Sequence, residues 1–191
     1  MRKTILACIV ALAAALGIAA QERVSFTGTA LIYGTGFNTR TVTRTFTMRI
    51  NGTSSANEVA TYLRTLQDDG QAGLLKATRD RDLGTFSLGG QIGRNLNAVT
   101  IEDVGGGKRR VRAILQRWMG FGELRGGYRS IDYPFSYIEI IVNENGSGEG
   151  TFIPAAQIRF RNRNGQQQVE IEDFGTLPGR LMGVKMRGRL P

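Results

Sequence analysis

The sequence predicts an α+β fold that is mainly antiparallel β-sheet, arranged as a sandwich or an open barrel with one inserted helical hairpin. Three observations predict this fold. Apolar and polar residues alternate along most of the chain, turns rich in glycine and asparagine separate the alternating runs, and one central stretch changes to helical spacing. Alternation with one polar face is typical of antiparallel strands.

The first 20 residues have the composition of a secretory signal peptide. Basic Arg2 and Lys3 precede an apolar run that ends in Ala19 and Ala20, and this order predicts cleavage near its end. We therefore expect a signal peptide over 1–20 and a single β-rich domain over 21–191, periplasmic or secreted. An uncleaved membrane anchor is the alternative, although the apolar run is short for a spanning helix.

Composition excludes several kinds of chemistry. The chain has no histidine, and its one cysteine, Cys8, lies within the predicted signal peptide. The mature domain would therefore lack the side chains needed for histidine acid–base catalysis, thiol nucleophiles, zinc–cysteine sites and disulfides. We expect no metal and no cofactor. A domain of about 170 residues is long enough to be stabilised by its apolar core alone.

The chain is basic, with 25 Lys and Arg residues against 16 Asp and Glu and a net charge of +9. Loss of Arg2 and Lys3 with the signal peptide would leave +7. We favour a solvated arginine-rich surface as the explanation of this excess, and an anionic partner such as a cell-envelope component or an acidic polysaccharide is the alternative. We expect no nucleic-acid partner for an exported protein, and no transmembrane segment after signal cleavage.

The first elements of the mature chain are predicted to be two antiparallel strands. Alternating apolar residues run from Val24 to Ile32, a glycine turn follows at 34–36, and threonine-rich alternation resumes from Thr41 to Ile50. β-Branched residues in this pattern favour strands with one wet face.

A helical hairpin is predicted to follow these strands. Ser55 and Glu58 have the spacing of a capping box. Apolar residues that we expect to face the core come next at helical spacing: Val59, Tyr62, Leu63 and Leu66. Because Asp68-Asp69-Gly70 interrupts the pattern, a second short helix is expected from Gln71 to Arg79, with Leu74 and Leu75 facing the core.

Three later hairpins are predicted from their turns. At Gly105-Gly106-Gly107 a three-residue loop is expected, because it sets Ile101 opposite Val111 and Glu102 opposite Arg110. A strand over 135–143 is expected to pair with 151–154 through a turn at Asn145-Gly146.

The hairpin at Asn164-Gly165 has a favoured two-residue turn. Its register sets Phe160 opposite Val169, Ile158 opposite Ile171, and Arg159 opposite Glu170. The basic stripe of Arg159, Arg161 and Arg163 would then share a face with Glu170 and Glu172. We therefore expect a self-neutralised outer surface there and not a binding track.

The segment 118–134 is the candidate ligand-binding site, because a connection this long is uncommon in a compact β-domain. Its aromatic side chains are of the kind that stack on a sugar or planar ligand, and its arginines are suited to an anionic group. The structural alternative, in which Trp118, Phe121 and Tyr133 plug an end of the sheet, is the favoured interpretation, since buried aromatic side chains are common. The candidate residues are Trp118, Glu123, Arg125, Tyr128, Arg129, Asp132 and Tyr133.

The motif Asp132-Tyr133-Pro134-Phe135, followed by Ile138-Glu139 and Gly146-x-Gly148-Glu149-Gly150, resembles an uncharacterised family of small exported bacterial proteins. The similarity extends over most of the mature chain, upstream to Leu63 and downstream to Val184. It implies export and a shared β-rich fold, and it implies no activity, ligand or catalytic residue.

Enzymatic activity is not favoured. The chain has neither a Gly-x-Ser-x-Gly nor a Ser-x-x-Lys motif, and a carboxylate pair drawn from Glu123, Asp132 and Glu139 is the best remaining route. We expect an exported, non-enzymatic module that binds an envelope component or an anionic or saccharide ligand. The alternatives are a carboxylate-dependent glycan hydrolase and a carrier of a small apolar ligand.

Overall fold

A computed structural model describes residues 23–33, 40–117, 119, 129–163, 166–175 and 177–190. The predicted signal peptide, the turn at 34–36 and Asn164-Gly165 lie outside the described residues. The elements in chain order are β1 Val24–Ile32, β2 Val42–Ile50, α1 Ala56–Thr78, β3 Gly84–Leu88, β4 Arg94–Asn95, β5 Ala98–Gly105, β6 Lys108–Gln116, a 3-10 helix Arg129–Asp132, β7 Phe135–Asn143, β8 Ser147–Arg163, β9 Gln166–Asp173 and β10 Gly179–Arg187.

The strands form one antiparallel sheet in the order β4-β3-β2-β1-β10-β8-β7-β6-β5, with β9 paired to β8 beside this path. One segment of chain joins the two ends of the sheet. The amide of Leu96 donates to the carbonyl of Gly84 at the start of β3 (2.8 Å), and the amide of Asn97 donates to the carbonyl of Ile114 in β6 (2.8 Å). The predicted mainly antiparallel sheet is confirmed, and its curled form is compatible with a sandwich or an open barrel.

Side chains from eight of the strands meet in one apolar core. Phe86 lies between two other rings, with centroids 5.9 Å from Phe46 and 5.0 Å from Phe152. Phe26 and Met48 are fully buried beside them. The alternation predicted for the first two strands therefore produces their buried face, and the space enclosed by the sheet is occupied by large side chains.

The helical segment is a single kinked helix and not the expected hairpin. Its capping box is present, since the Ser55 hydroxyl accepts from the Glu58 amide (3.2 Å) and the Ser55 amide donates to the Glu58 carboxylate (2.9 Å). Gly70 leaves the helical conformation at φ 66° and ψ −162°. Among the described residues, no helix is long and apolar enough to cross a membrane.

The physical reason for one helix is that both halves of α1 pack on the same outer surface of the sheet. Leu66, before the kink, and Leu74, after it, belong to one cluster with Phe135 and Ile158. A single glycine bends the helix without the loop that a chain reversal needs. Leu63 was also expected to face the core, but its side chain is 41% exposed.

Both registers selected by pair chemistry are confirmed. Ile101 pairs with Val111 and Glu102 with Arg110, and Arg159 pairs with Glu170 on the β8–β9 hairpin. The first turn differs in detail, because its odd residue is accommodated in a bulge between Asp103 and Gly105 and not in the loop.

Strand β8 is longer than the expected 151–154. Its first part pairs with β7 and β10, and its second part pairs with β9. On the β8–β9 face, the Arg161 guanidinium lies 2.6 Å from the Glu170 carboxylate, and Arg159 contacts both Glu170 and Glu172. The predicted neutralisation of this stripe is confirmed for these two arginines.

Candidate functional site

A cleft of about 900 Å³ opens between the second half of α1, β4, the end of β6 and the turn that leads into β7. Its described lining is polar and basic and includes part of the predicted segment 118–134. The lining residues are Gln71, Ala72, Leu75, Arg79, Gly93, Arg94, Asn95, Asn97, Gln116, Arg117, Met119, Ile131, Asp132 and Pro134.

The charges of this cleft favour an anion. Three arginines and one aspartate line its described part. Arg94 is exposed and makes no ion pair with a described residue. Arg79 is 58% exposed, and its only ion pair within the described part is a 3.7 Å contact with Asp80, which water screens strongly. Arg79 and Arg94 are therefore the cleft cations with the least competition from protein carboxylates.

The walls of the cleft are held by amide side chains. Asn97, which is buried, donates to the carbonyls of Arg79 (3.3 Å) and Arg81 (3.1 Å) and accepts from the amide of Gln116 (2.7 Å). It thereby ties the end of α1 to β6. Gln71, next to the helix kink, donates to the carbonyl of Asp132 and accepts from the amide of Ile158, at 2.9 and 2.8 Å.

Arg117 fixes the turn on the opposite wall. Its guanidinium donates to the carbonyls of Tyr133 (2.9 Å) and Ser130 (2.8 Å), and its amide donates to the carbonyl of Pro134 (2.8 Å). Because these bonds hold the guanidinium against the backbone, Arg117 contributes positive charge and rigidity to the cleft. A frame organised in this way lowers the ordering cost of binding a ligand.

Two of the predicted site residues, Asp132 and Tyr133, have described side chains, and their surroundings differ from each other. Asp132 is exposed and lines the cleft. Tyr133 is 5% exposed, donates its hydroxyl to Glu172 (2.9 Å) and packs edge-on against Phe174 with centroids 5.2 Å apart. The surroundings of Tyr133 therefore match the structural alternative, in which this side chain packs as a plug and does not contact a ligand.

The other predicted site residues fall outside the described part of the chain. This holds for Trp118, Glu123, Arg125 and Tyr128, and for the side chain of Arg129, whose backbone begins the 3-10 helix. Sequence reasoning missed Arg79 and Arg94, because they come from separate elements that only the fold brings to one cleft. Their one sequence signal is the basic excess of the chain.

A second, apolar cavity of about 160 Å³ lies between α1 and the outer face of the sheet. We call it the helix–sheet crevice. Two of its walls are partly open, because Leu63 and Val169 are 41% and 42% exposed. The crevice is lined by Val59, Tyr62, Leu63, Leu66, Leu74, Ala98, Thr100, Arg112, Ala113, Ile114, Tyr137, Ile158, Val169 and Ile171.

A charged network occupies the sheet surface beside this crevice. Glu139 accepts from Arg112 (2.9 Å) and from the Tyr137 hydroxyl (2.9 Å), and Glu102 contacts Arg110 and Arg112 at 3.0 and 2.8 Å. Burial, reinforced by the charge of Glu139, raises the pKa of Tyr137, so its hydroxyl remains a donor. Glu139 is thus paired on β7 and does not line the cleft with Asp132.

Neither a metal centre nor a relative identifies the ligand. The described residues contain no group of three or more His, Cys, Asp or Glu side chains placed to hold a metal ion. The resemblance to a family of small exported proteins stays a prediction. Comparison of the chain with protein-family models, with curated proteins and with solved structures found no match.

Proposed function

We propose that this protein is an exported, non-enzymatic binding module whose basic cleft takes an anionic saccharide of the cell envelope. The observation that carries the proposal is that Arg79 and Arg94 line the cleft and make, with described residues, no ion pair other than the exposed 3.7 Å contact of Arg79 with Asp80. Arginine binds carboxylate and phosphate groups through two parallel N–H donors, which suits a chain of acidic sugars.

Two further features support binding over catalysis. The cleft walls are fixed by the bonds of Asn97, Gln71 and Arg117, as expected of a preformed site. Asp132 is the one carboxylate of the described lining, whereas glycoside hydrolysis normally needs two. The hydrolase alternative therefore has little support from the described residues.

The decisive experiment measures binding of an oligogalacturonate to the purified protein by calorimetry at low salt. Replacing both Arg79 and Arg94 by alanine should weaken binding at least about tenfold, because charge-assisted hydrogen bonds contribute about 1.5–3 kcal/mol and tenfold corresponds to about 1.4 kcal/mol. A neutral oligosaccharide of equal length should not bind.

The matched control removes the same charge elsewhere. Arg64 on α1 and Arg187 on β10 are exposed and line none of the described cavities, so the double variant Arg64→Ala/Arg187→Ala should bind like the unaltered protein. An equal loss of affinity for the oligogalacturonate in both double variants would show that net charge, and not the cleft, drives binding. Tighter binding of inorganic phosphate than of the oligogalacturonate at this site would indicate a site selective for phosphate and not for sugar carboxylates.

The helix–sheet crevice favours a second candidate function, carriage of a small apolar ligand. Its walls are almost wholly apolar and its volume is about 160 Å³. Apolar cavities near 150 Å³ accept benzene or xenon in other proteins. The core inside the sheet is occupied by side chains, so a carried ligand would use this outer crevice.

The carrier function is tested with xenon or benzene as the probe and with NMR shifts of the Leu74 and Ile171 methyl groups as the readout. Replacing Ala98 by leucine should fill the crevice and abolish the shifts. Ala77 is exposed on α1 and does not line the crevice, so Ala77→Leu should retain them. Absence of shifts in the unaltered protein would exclude this function.

A further inference from the structure

A separate pocket of about 140 Å³ forms where the ends of β1 and β9 meet the middle of β8 and the start of β10. We call it the acidic–aromatic pocket, and it shares no lining residue with the basic cleft or the helix–sheet crevice. The side chains of its described walls are apolar apart from one carboxylate and the Tyr33 hydroxyl. The lining residues are Ile32, Tyr33, Pro154, Ala155, Asp173, Phe174, Gly175, Leu177 and Gly179.

Asp173 is the chemical feature of this pocket. One carboxylate oxygen, Oδ1, accepts from the amide of Gly175 (2.8 Å). The other, Oδ2, is buried and has no hydrogen-bond partner among the described residues, and Asp173 forms no salt bridge with them. An isolated buried carboxylate oxygen is costly, so a hydrogen-bond donor that reached it from the pocket would stabilise it.

The backbone holds this arrangement in place. Asp173 is the last residue of β9 and pairs with Ala156, and the next amide, that of Phe174, donates to the carbonyl of Ala155 (2.9 Å). The Phe174 ring is braced edge-on by Tyr133, which is buried. Phe174 and Leu177 remain 38% and 58% exposed, so the pocket has an accessible rim.

We propose that the acidic–aromatic pocket binds the ammonium group of a small alkylamine, with Asp173 Oδ2 as its acceptor. A primary ammonium supplies N–H donors and a positive charge to the buried oxygen. Its hydrocarbon stem matches Ile32 and Leu177, and the rings of Tyr33 and Phe174 attract cations through their π-systems.

The size of the pocket limits the ligand. Since a water molecule occupies roughly 30 Å³ of liquid, 140 Å³ holds about five groups of that size. This matches an ammonium with a four-carbon stem, such as a free alkylamine or the end of a lysine-like side chain. Burial raises the pKa of Asp173, because it disfavours the charged form more than the hydrogen bond from the Gly175 amide favours it.

The test uses n-butylammonium and n-butanol as a charged and neutral pair, titrated into the whole protein and followed by NMR shifts of residues around 173–179. We expect saturable binding of butylammonium with a dissociation constant of about millimolar order, and at least about tenfold weaker binding of butanol. Equal binding of the two, or no saturable binding of butylammonium, would overturn the proposal.

Variants locate the site. Asp173→Asn should weaken butylammonium binding at least about tenfold, whereas Asp68→Asn, an exposed aspartate on α1, should leave it unchanged. Retained affinity in Asp173→Asn would also overturn the proposal. If that variant does not fold, the butylammonium–butanol comparison on the unaltered protein still decides. None of these outcomes depends on the basic cleft, which is tested with the oligogalacturonate.

Discussion

Asp173 shows how a single residue can carry a stability cost that its sequence context does not reveal. It ends an alternating strand, and its neighbours Glu170 and Glu172 on the same strand lie beside arginines. Asp173 instead lines the acidic–aromatic pocket, with one oxygen that has no hydrogen-bond partner among the described residues. Because burial raises its pKa, the folded protein binds a proton more tightly there than the unfolded chain does.

This shift gives a prediction with a defined sign. The stability cost of the Asp173 charge is absent below the pKa of an unfolded aspartate, about 3.9. This cost grows as pH rises to the pKa of Asp173 in the folded protein, and it is fully present above that pKa. Asp173→Asn removes the charge, so the variant should be more stable than the unaltered protein at pH 7. The difference in free energy of unfolding between the variant and the unaltered protein should shrink toward pH 3.5, as measured by urea unfolding between pH 7 and pH 3.5.

The prediction would be contradicted if the free energies of unfolding of Asp173→Asn and of the unaltered protein changed with pH in the same way. Asp68→Asn is again the control, since Asp68 is exposed on α1. Stabilisation by Asp173→Asn together with lost butylammonium binding would be the trade-off expected of a residue kept for a ligand.

Residues differ in how far local sequence predicts their roles. Ser55 and Glu58 were predicted as a capping box because both partners lie within one helical turn. Arg79, Arg94 and Arg117 were not predicted to line one cleft, since they come from the C-cap of α1, from β4 and from the chain after β6. Their meeting depends on contacts between distant segments.

At the scale of elements, the kink in α1 is the main departure from expectation. The sequence correctly predicts a break at Asp68-Asp69-Gly70, but it does not predict whether the chain reverses there. Packing decides this, because Leu66 and Leu74 reach the same cluster on the outer face of β7 and β8. One kinked helix buries both leucines.

Gly70 therefore has a testable role. At φ 66° and ψ −162° it occupies a region that is essentially restricted to glycine, and a Cβ built there meets nothing within 4 Å. Gly70→Ala should lower the free energy of unfolding by about 1–3 kcal/mol through backbone strain alone, as measured by urea denaturation.

The control for this prediction is Gln67→Ala, an exposed position on the same helix. A surface change of this kind should alter stability by less than about 0.5 kcal/mol. An unchanged or raised stability in Gly70→Ala would mean that the helix straightens without penalty, and it would remove the requirement for glycine at the kink.

The sequence predicted the strand registers more accurately than it predicted the geometry of the helix. Opposed charges and apolar pairs selected the β5–β6 and β8–β9 registers, and both are confirmed. The bulge between Asp103 and Gly105 was not anticipated, because a bulge and an odd loop give the same pairing further along the strands. Pair chemistry thus determines the register and leaves the turn geometry open.

At the scale of the whole molecule, the filled interior restricts where a ligand can bind. Phe46, Phe86 and Phe152 pack together inside the sheet with other fully buried side chains. The cleft, the crevice and the acidic–aromatic pocket all draw on the outer surface or the edges of the sheet. The carrier candidate therefore depends on the packing of α1 against the sheet, and the xenon experiment tests that interface.

The sequence by itself determined the features that depend on short separations: the alternating strands, the capping box, the break at Gly70 and two hairpin registers. It also determined the residue types that the chain has for chemistry. Only the tertiary structure decided the strand order, the single kinked helix and the placement of Arg79 and Arg94 in one cleft. The physical reason is that local periodicity defines each element's apolar face, whereas the choice of partner for that face depends on packing between segments far apart in the chain.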